Sequence, residues 1–249
     1  MKDVLASRIA TLTGASSAVK RSCIASVWSG YGEVLRYDLL ESEWPSVVVK
    51  HIVPGKGRGR SHDRKLRSYE VEQTWYRDHA DRRHSACRVA RCIHVERKHR
   101  EWLFVLEDLD AAGFPHHSEF LSRQQLDTCL RWLAAFHANF LHERPRGLWK
   151  IGTYWHLKTR PDEHRTMARG PLRDGASAID KRLNGAQFQT FVHGDAKPTN
   201  FCFSTDGNRA AAVDFQYVGG GCGVKDVAYL LAGEDKAALK RGIDIYSQH

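Results

Sequence analysis

The chain lacks any uninterrupted apolar run of about eighteen residues, the length that marks a membrane span, so no crossing of a bilayer is expected. Its opening, Met1 to Gly14, has no long apolar core of a secretory signal. Val4, Leu5, Ile9 and Leu12 instead fit one face of an amphipathic helix. No CxxC pair occurs among the six cysteines, Cys23, Cys87, Cys92, Cys129, Cys202 and Cys222. Cys87, Cys92 and His94 lie near one another, but no fourth ligand is evident, which argues against zinc and for free thiols in a reducing cytosol. Internal repeats and low-complexity tracts are also missing. What remains, 249 residues with 42% hydrophobic content, can bury a core as one large domain or as two lobes sharing a cleft.

Aromatic residues are absent from the basic stretch Lys56-Gly57-Arg58-Gly59-Arg60, which continues to Arg67. A net charge of +9 invites a nucleic-acid reading, because glycine-interleaved cations can follow a phosphate backbone. Without rings for base stacking the run fits a solvated loop better. The sequence therefore argues against both nucleic-acid and membrane partners.

The densest chemistry lies in His193-Gly194-Asp195-Ala196-Lys197-Pro198-Thr199-Asn200, followed by Val213-Asp214-Phe215-Gln216. An Asp, a Lys, an Asn and a second Asp fall within about twenty residues, on a loop and the hairpin after it. Phosphoryl transfer from a magnesium-bound nucleotide needs such a set. One carboxylate orients an attacking hydroxyl and accepts its proton, while an amide oxygen and a second carboxylate hold the metal.

These two motifs resemble the catalytic loop and the metal-binding turn of the protein-kinase-like fold, HxDxKPxN and then DFG. They are most similar to the small-molecule branch of aminoglycoside phosphotransferases, choline kinases and ecdysteroid-kinase-like proteins, where Gly replaces the Arg of HRD. The string from Phe191 to Asp226, ending GGGCGVKDVAYLL, looks most like the ecdysteroid-kinase-like members. The resemblance implies Asp195 as base, Lys197 near the transferred phosphate, Asn200 and Asp214 as magnesium ligands, and Asp226 as a buried anchor. His193 is read as a prop for the loop by hydrogen bonding. The implied fold is α+β and bilobal, with a sheet-rich nucleotide-binding lobe over 1–109 and a mostly helical catalytic lobe over 110–249. The implied cofactors are ATP and Mg²⁺, and the implied partner is a small-molecule hydroxyl acceptor.

Ser22 to Leu40 reads as a hairpin turning at Ser29-Gly30-Tyr31-Gly32, where Gly30 and Gly32 suit either a phosphate-approaching loop or an ordinary tight turn. The β-branched run Ser46 to Val53 carries Lys50, which taken alone belongs on a surface. Its order, glycine hairpin, strand lysine, then a helix over His62 to His79 with Glu70 and Glu72, is that of a nucleotide lysine and its partner glutamate. A Tyr four residues on favours Glu72, as in family members; Glu70 stays open. Strands are expected at Arg88–His94 and Glu101–Leu106, with a charged turn at Glu96–Arg100. Glu107, Asp108 and Leu109 then resemble a hinge that pairs with adenine.

An amphipathic helix is expected from Ser122 to Leu141, with His137 packed rather than catalytic. Further helices are expected near Ala176–Leu183, Val227–Leu231 and Ala237–Tyr246. Gly219 to Gly221 read as a flexible segment. From Ile151 to Thr190 there are seven Lys/Arg against four Asp/Glu, which leans towards a neutral or anionic acceptor. Arg160, Arg165 and Arg173 are the cations expected to repel a polycation there. Rival readings are an aminoglycoside phosphotransferase, a protein kinase and a non-enzymatic binding module. The second is disfavoured because no APE-like motif follows Asp214. The short stretch from Phe215 to His249, where relatives add several helices, is compatible with a minimal lobe or a fragment.

Overall fold

The computed structural model describes residues 3–27, 30–82, 85–154, 156–157 and 160–249. Trp28, expected to end the first strand of the hairpin, and Ser29, expected in its turn, lie outside them. The chain opens with helix α1 (Val4–Thr13), where Asp3 accepts from Leu5 N and Ala6 N and Gly14, at φ 67°, ends the helix in the left-handed region. Next come β1 (Ser17–Val27), β2 (Gly32–Leu40), β3 (Ser46–Ile52), α2 (Arg60–Thr74), β4 (Arg88–Val89), β5 (Cys92–Lys98) and β6 (Glu101–Glu107). Five of these strands make one antiparallel sheet in the order β1-β2-β3-β6-β5.

Strand periodicity explains how this sheet serves two cores. Val47 and Val49 of β3 pack with Ile9, Leu35, Leu103 and Val105 on the face that α1 covers. Lys50 and Ile52 have the opposite parity and turn towards α2, where Ile52 joins Val71, Trp75 and Phe104. A lysine in that strand thus faces the interior of the molecule, and Lys50 is only 8% exposed.

The C-terminal part is mostly helical. It holds β7 (His116–His117), α3 (Arg123–Asn139), α4 (Pro161–Thr166), α5 (Pro171–Asn184), β8 (Thr190–Val192), β9 (Phe201–Phe203), β10 (Ala210–Ala212), β11 (Gly219–Gly221), α6 (Val224–Leu230) and α7 (Lys236–Ser247). A full capping box, Ser122 with Gln125, starts α3. Its apolar stripe buries Leu126, Leu130, Trp132, Leu133 and Phe136. Short strands order as β4-β10-β9-β7, and β11 pairs with β8. An aromatic cluster joins the two parts: Trp75, in the turn after α2, stacks on Phe215 with centroids 4.5 Å apart. Phe136 packs against Trp75, Trp132, Phe140 and Phe215.

Several expectations need correction. The helix expected over His62 to His79 is α-helical only to Thr74 and widens to a π-helical turn over Trp75–His79. The charged stretch expected as a turn at Glu96–Arg100 is largely strand, because His99 at φ 54° lets the chain reverse in two residues. Glu96 and Lys98 can be charged there because β5 is an edge strand. Gly219 to Gly221 are a paired strand rather than a flexible segment. A Cβ on Gly219 would sit 2.2 Å from Trp149 O, so the glycines admit a close backbone neighbour. The helix expected near Ala176–Leu183 starts earlier, at Pro171.

Phe136→Ala should lower the unfolding free energy by about 3–5 kcal/mol, since it empties the centre of the aromatic cluster. Urea denaturation followed by tryptophan fluorescence checks this; a loss below about 1 kcal/mol would mean the cluster does not hold the two parts together.

Candidate active site

Strand β8 delivers the loop that begins at His193, and a buried carboxylate fixes its shape. Asp226, at the start of α6, accepts from His193 N at 2.6 Å and from Gly194 N at 2.9 Å. Behind it, His137 Nε2 lies 3.1 Å from Asp226 Oδ2 and His137 Nδ1 lies 2.9 Å from the Tyr246 hydroxyl. Burial works to raise the Asp226 carboxyl, but His137 foremost, then His193 and the Gly194 N–H, hold it below the ordinary carboxylate range. His193 contributes through hydrogen bonds: its Nε2 lies 2.9 Å from Val213 O, tying the loop to the strand that leads to Asp214. Gly194 is at φ 82°, and a Cβ there would lie 2.2 Å from Tyr217 O, so no other residue fits without rearrangement.

Asp195 follows this turn at 5% exposure. Asn200 Nδ2 donates to Asp195 O at 2.8 Å and to Asp195 Oδ2 at 3.1 Å. Lys197 Nζ is 3.1 Å from the same Oδ2. Burial would lower the Lys197 ammonium, but Asp195 outweighs it and keeps the group charged.

Across the cleft, Lys50 Nζ lies 2.9 and 2.8 Å from the two Glu72 oxygens and 3.2 Å from Asp214 Oδ1. Desolvation favours a neutral Lys50, yet Asp214 and Glu72 together push its pKa up. Burial raises Glu72 against the opposing pull of Lys50. Burial also acts to raise Asp214, and the Lys50 ammonium reverses this, leaving it below its usual range. Asp214 sits at φ 64°, a left-handed conformation that Asp tolerates better than most residues. Glu70 points elsewhere: it meets Arg97 at 2.8 Å and Arg67 at 3.4 Å. The choice between the two glutamates is thus decided by helix phase.

Lys50, Glu72, Asp195, Lys197 and Asp214 all line one cleft of about 890 Å³. Glu107, Asp108 and Leu109 line it too. The Glu107 carboxylate is held by Arg88 Nη2 at 2.5 Å and Arg91 N at 2.9 Å. Asp108 is held by Ser46 Oγ at 2.7 Å and by Arg36. Their side chains shape the wall, and the Leu109 N–H has no hydrogen-bond partner among the described residues. Gly30 and Gly32 stand apart from the cleft lining, which β1 supplies through Ile24 to Val27. Gly32 is needed for another reason: a Cβ there would meet His51 O at 2.0 Å. His193 and Asp226 sit behind the cleft wall and support it, while Asn200, 5% exposed, reaches the cleft carboxylate Asp195.

Three contributors escaped sequence reading. Arg36 bridges Asp108 and Asp110, Ser68 Oγ donates to Gln216 at 3.1 Å, and Tyr154 N donates to Gly194 O at 2.6 Å. Only the Asp214-Phe215-Gln216 string carried a signal for any of them. Among the expected acceptor cations, Arg160 lines the cleft. Arg165 instead pairs with Asp162 at the surface, and Arg173 donates to Met167 O at 2.8 Å.

A sheet-rich N-terminal part, a helical C-terminal part and a cleft bearing a strand lysine, a helix glutamate and two loop aspartates define a kinase-like phosphotransferase fold. The family model described as the phosphotransferase enzyme family matches residues 35–247, and the chain belongs to that family. Among solved structures it is similar to macrolide 2′-phosphotransferase MphH from Brachybacterium faecium, with TM-score 0.58 at 12% identity, over 97% of this chain and 81% of that one. It is also similar to two proteins assigned as fructosamine-3-kinases. The one from Thermobifida fusca gives TM-score 0.56 at 16% identity, over 98% of this chain and 83% of that one. The one from Haemophilus somnus 129PT gives TM-score 0.50 at 13% identity, over 97% and 81%. These likenesses concern the fold. No curated protein sequence matches the chain. Among the described residues, no helix is long and apolar enough to cross a membrane.

Asp226→Ala should destabilise the protein by about 3–5 kcal/mol, because it strands two buried N–H groups and His137. Because the folded pKa of Asp226 is depressed, its stabilisation is present above the unfolded value of 3.8 and is lost as pH falls through the folded pKa. Thermal unfolding of Asp226→Asn across the acid range should therefore show a shallower decline below pH 3.8 than the wild type. An identical acid limb in both would remove Asp226 as the anchor.

Proposed function

We propose that this protein is an ATP- and magnesium-dependent kinase that phosphorylates a hydroxyl group of a small molecule. The observation that carries this reading is the convergence of Lys50, Glu72 and Asp214 with Asp195 and Lys197 on one cleft. Residues 1–109 hold the nucleotide in this reading and residues 110–249 supply the catalytic loop. The Leu109 N–H donates to the adenine edge in this reading, and a neighbouring backbone carbonyl accepts from it. Lys50, kept charged and fixed by Glu72, binds the donor phosphates.

The donor set suits magnesium. Asp214 offers a carboxylate at the cleft, and Asn200 spends its amide nitrogen on Asp195, which reserves its amide oxygen for a hard cation. Asp214 and Asn200 would hold the ion, and the chemistry it would supply there is neutralisation of phosphate charge. Asp195 orients the acceptor hydroxyl and takes its proton, so that the oxygen forms the new P–O bond while the bond to the leaving diphosphate breaks. Lys197 adds positive charge beside the transferred group. His193 and Asp226 hold the loop and take no part in proton transfer.

Within the family, the Phe191–Asp226 string supports placement near the ecdysteroid-kinase-like branch. The acceptor is neutral or anionic in this reading rather than a polycationic antibiotic. The macrolide phosphotransferase likeness supports an antibiotic acceptor only at the level of fold. The six free thiols suit a reducing cytoplasm.

Asp214→Ala should abolish magnesium-dependent nucleotide binding, whereas Asp195→Ala should bind nucleotide normally and lose about 10²–10⁴ in kcat. Calorimetry with Mg²⁺ and a non-hydrolysable ATP analogue, beside an ADP-release assay over sterols, polyols, amino alcohols and antibiotics, separates the two. Wild-type turnover by Asp195→Ala on the true acceptor would sink the mechanism.

A further inference from the structure

The half of the cleft beyond Asp214 carries a group of side chains that the phosphoryl-transfer machinery does not use. Arg60, Arg64 and Lys65, from the first turns of α2, line one wall, and Arg160, at the foot of α4, lines the other. The solvated-loop reading of the basic run thus holds for Lys56 to Arg60, which are exposed, although Arg60 also borders the cleft, and gives way at Arg64 and Lys65, which are half-buried on α2. Once α2 starts at Arg60, a four-residue spacing puts Arg60 and Arg64 on one helix face, and that face borders the cleft.

Tyr154 and Tyr217 stand between the two walls. Their rings meet edge to face with centroids 4.8 Å apart. The Arg160 guanidinium lies 3.9 Å from the Tyr154 centroid, and its Nη1 is 3.0 Å from Glu163 Oε1. Tyr154 N donates to Gly194 O, which places this aromatic pair directly against the loop that presents Asp195. Tyr217 is three residues past Asp214, and both Arg64 and Arg160 act on it electrostatically. Arg64 also acts on Glu163, so α2 and α4 face each other across the pair. The acidic groups on these walls, Asp162 and Glu163, have Arg165 and Arg160 as partners. Burial foremost, then the Arg64 guanidinium, hold the Lys65 ammonium below its usual range, and that ammonium lies 5.1 Å from the Tyr31 ring centroid.

We infer that the acceptor is an anionic hydroxyl compound, its carboxylate or phosphate held by Arg64, Lys65 and Arg160 and its carbon skeleton lying against Tyr154 and Tyr217. Guanidinium groups suit such oxyanions because two parallel N–H donors match two oxygens. Tyrosine rings give a sugar or alicyclic skeleton an apolar floor without excluding polar edges. The inference deepens the kinase reading and rests on it for the word acceptor, but the anion site itself can be tested without turnover.

The test is calorimetry on the protein saturated with Mg²⁺ and a non-hydrolysable ATP analogue, so that the nucleotide phosphates are already in place. Inorganic sulfate is titrated first, followed by four six-carbon alcohols that differ in charge: gluconate, sorbitol 6-phosphate, sorbitol and its 1-amino counterpart. Sulfate and the two anions should bind more tightly than sorbitol, and the amino compound most weakly. Arg64→Gln should weaken the anions about 10-fold or more while Arg64→Lys restores most of the loss, as expected for one charge-assisted contact. The analogue's own affinity should stay within about 2-fold in both variants, which separates a lost anion site from a misfolded cleft. Sulfate that fails to bind, anions indifferent to Arg64→Gln, or the amino compound binding best would each overturn the inference. If the analogue itself does not bind, the kinase reading fails instead, and sulfate titrated into the nucleotide-free protein still decides the anion site.

Discussion

A single buried ammonium organises this molecule. Lys50 sits in a β-branched strand where period-two alternation turns it inward, and an unpaired charge there would cost several kcal/mol in lost hydration. Two carboxylates offset that cost, Glu72 from α2 and Asp214 from the turn after β10. Each comes from a different element, so the sheet, the helix and the C-terminal part must dock in one arrangement for the charge to be satisfied. The apolar packing next to it enforces the same arrangement. Trp75 lies one turn beyond Glu72 and Phe215 is adjacent to Asp214, and those two rings stack.

The second fixed point is also a buried carboxylate with its partners supplied. Asp226 holds two successive backbone N–H groups and is itself backed by His137 and Tyr246. That chain of bonds runs from α3 and α7 to the turn before Asp195, so helices remote from the cleft set the position of a cleft carboxylate. Hydrogen bonds to an ionised acceptor are the stronger kind, which suits a turn that must hold one shape ahead of Asp195. The two fixed points meet at His193, which joins Asp226 through its backbone and Val213 through its ring.

Charge is distributed unevenly about this frame. On one side of Asp214, positive side chains are locked into structural pairs, as Lys50 is with Glu72 and Arg36 with Asp108. On the other, Arg64, Lys65 and Arg160 line the cleft beside two tyrosines, with Arg160 paired to Glu163. One fold can serve different acceptors because function lives in the site rather than in the architecture.

The closeness of the motif residues was legible in the sequence because their spacing is local. His193 to Asn200 and Val213 to Gln216 fold as short turns, so residue order already fixes which groups lie near one another. The kinase-like architecture, the amphipathic α3 and the two closing helices were legible for a related reason, since apolar periodicity needs no distant partner. Helix phase against a sheet was beyond local reading: Glu70 and Glu72 are equally good helix residues, and only the docking of α2 turns Glu72 towards Lys50 while Arg97 takes Glu70. The glycines at Gly219 to Gly221 look flexible in isolation and become a strand because Trp149 approaches their backbone. Only part of the basic run was legible in the same way. Composition marked the whole run as solvated, which holds through Arg60, whereas tertiary packing half-buries Arg64 and Lys65 on the wall of the cleft, because a surface is defined only once the opposite wall is in place.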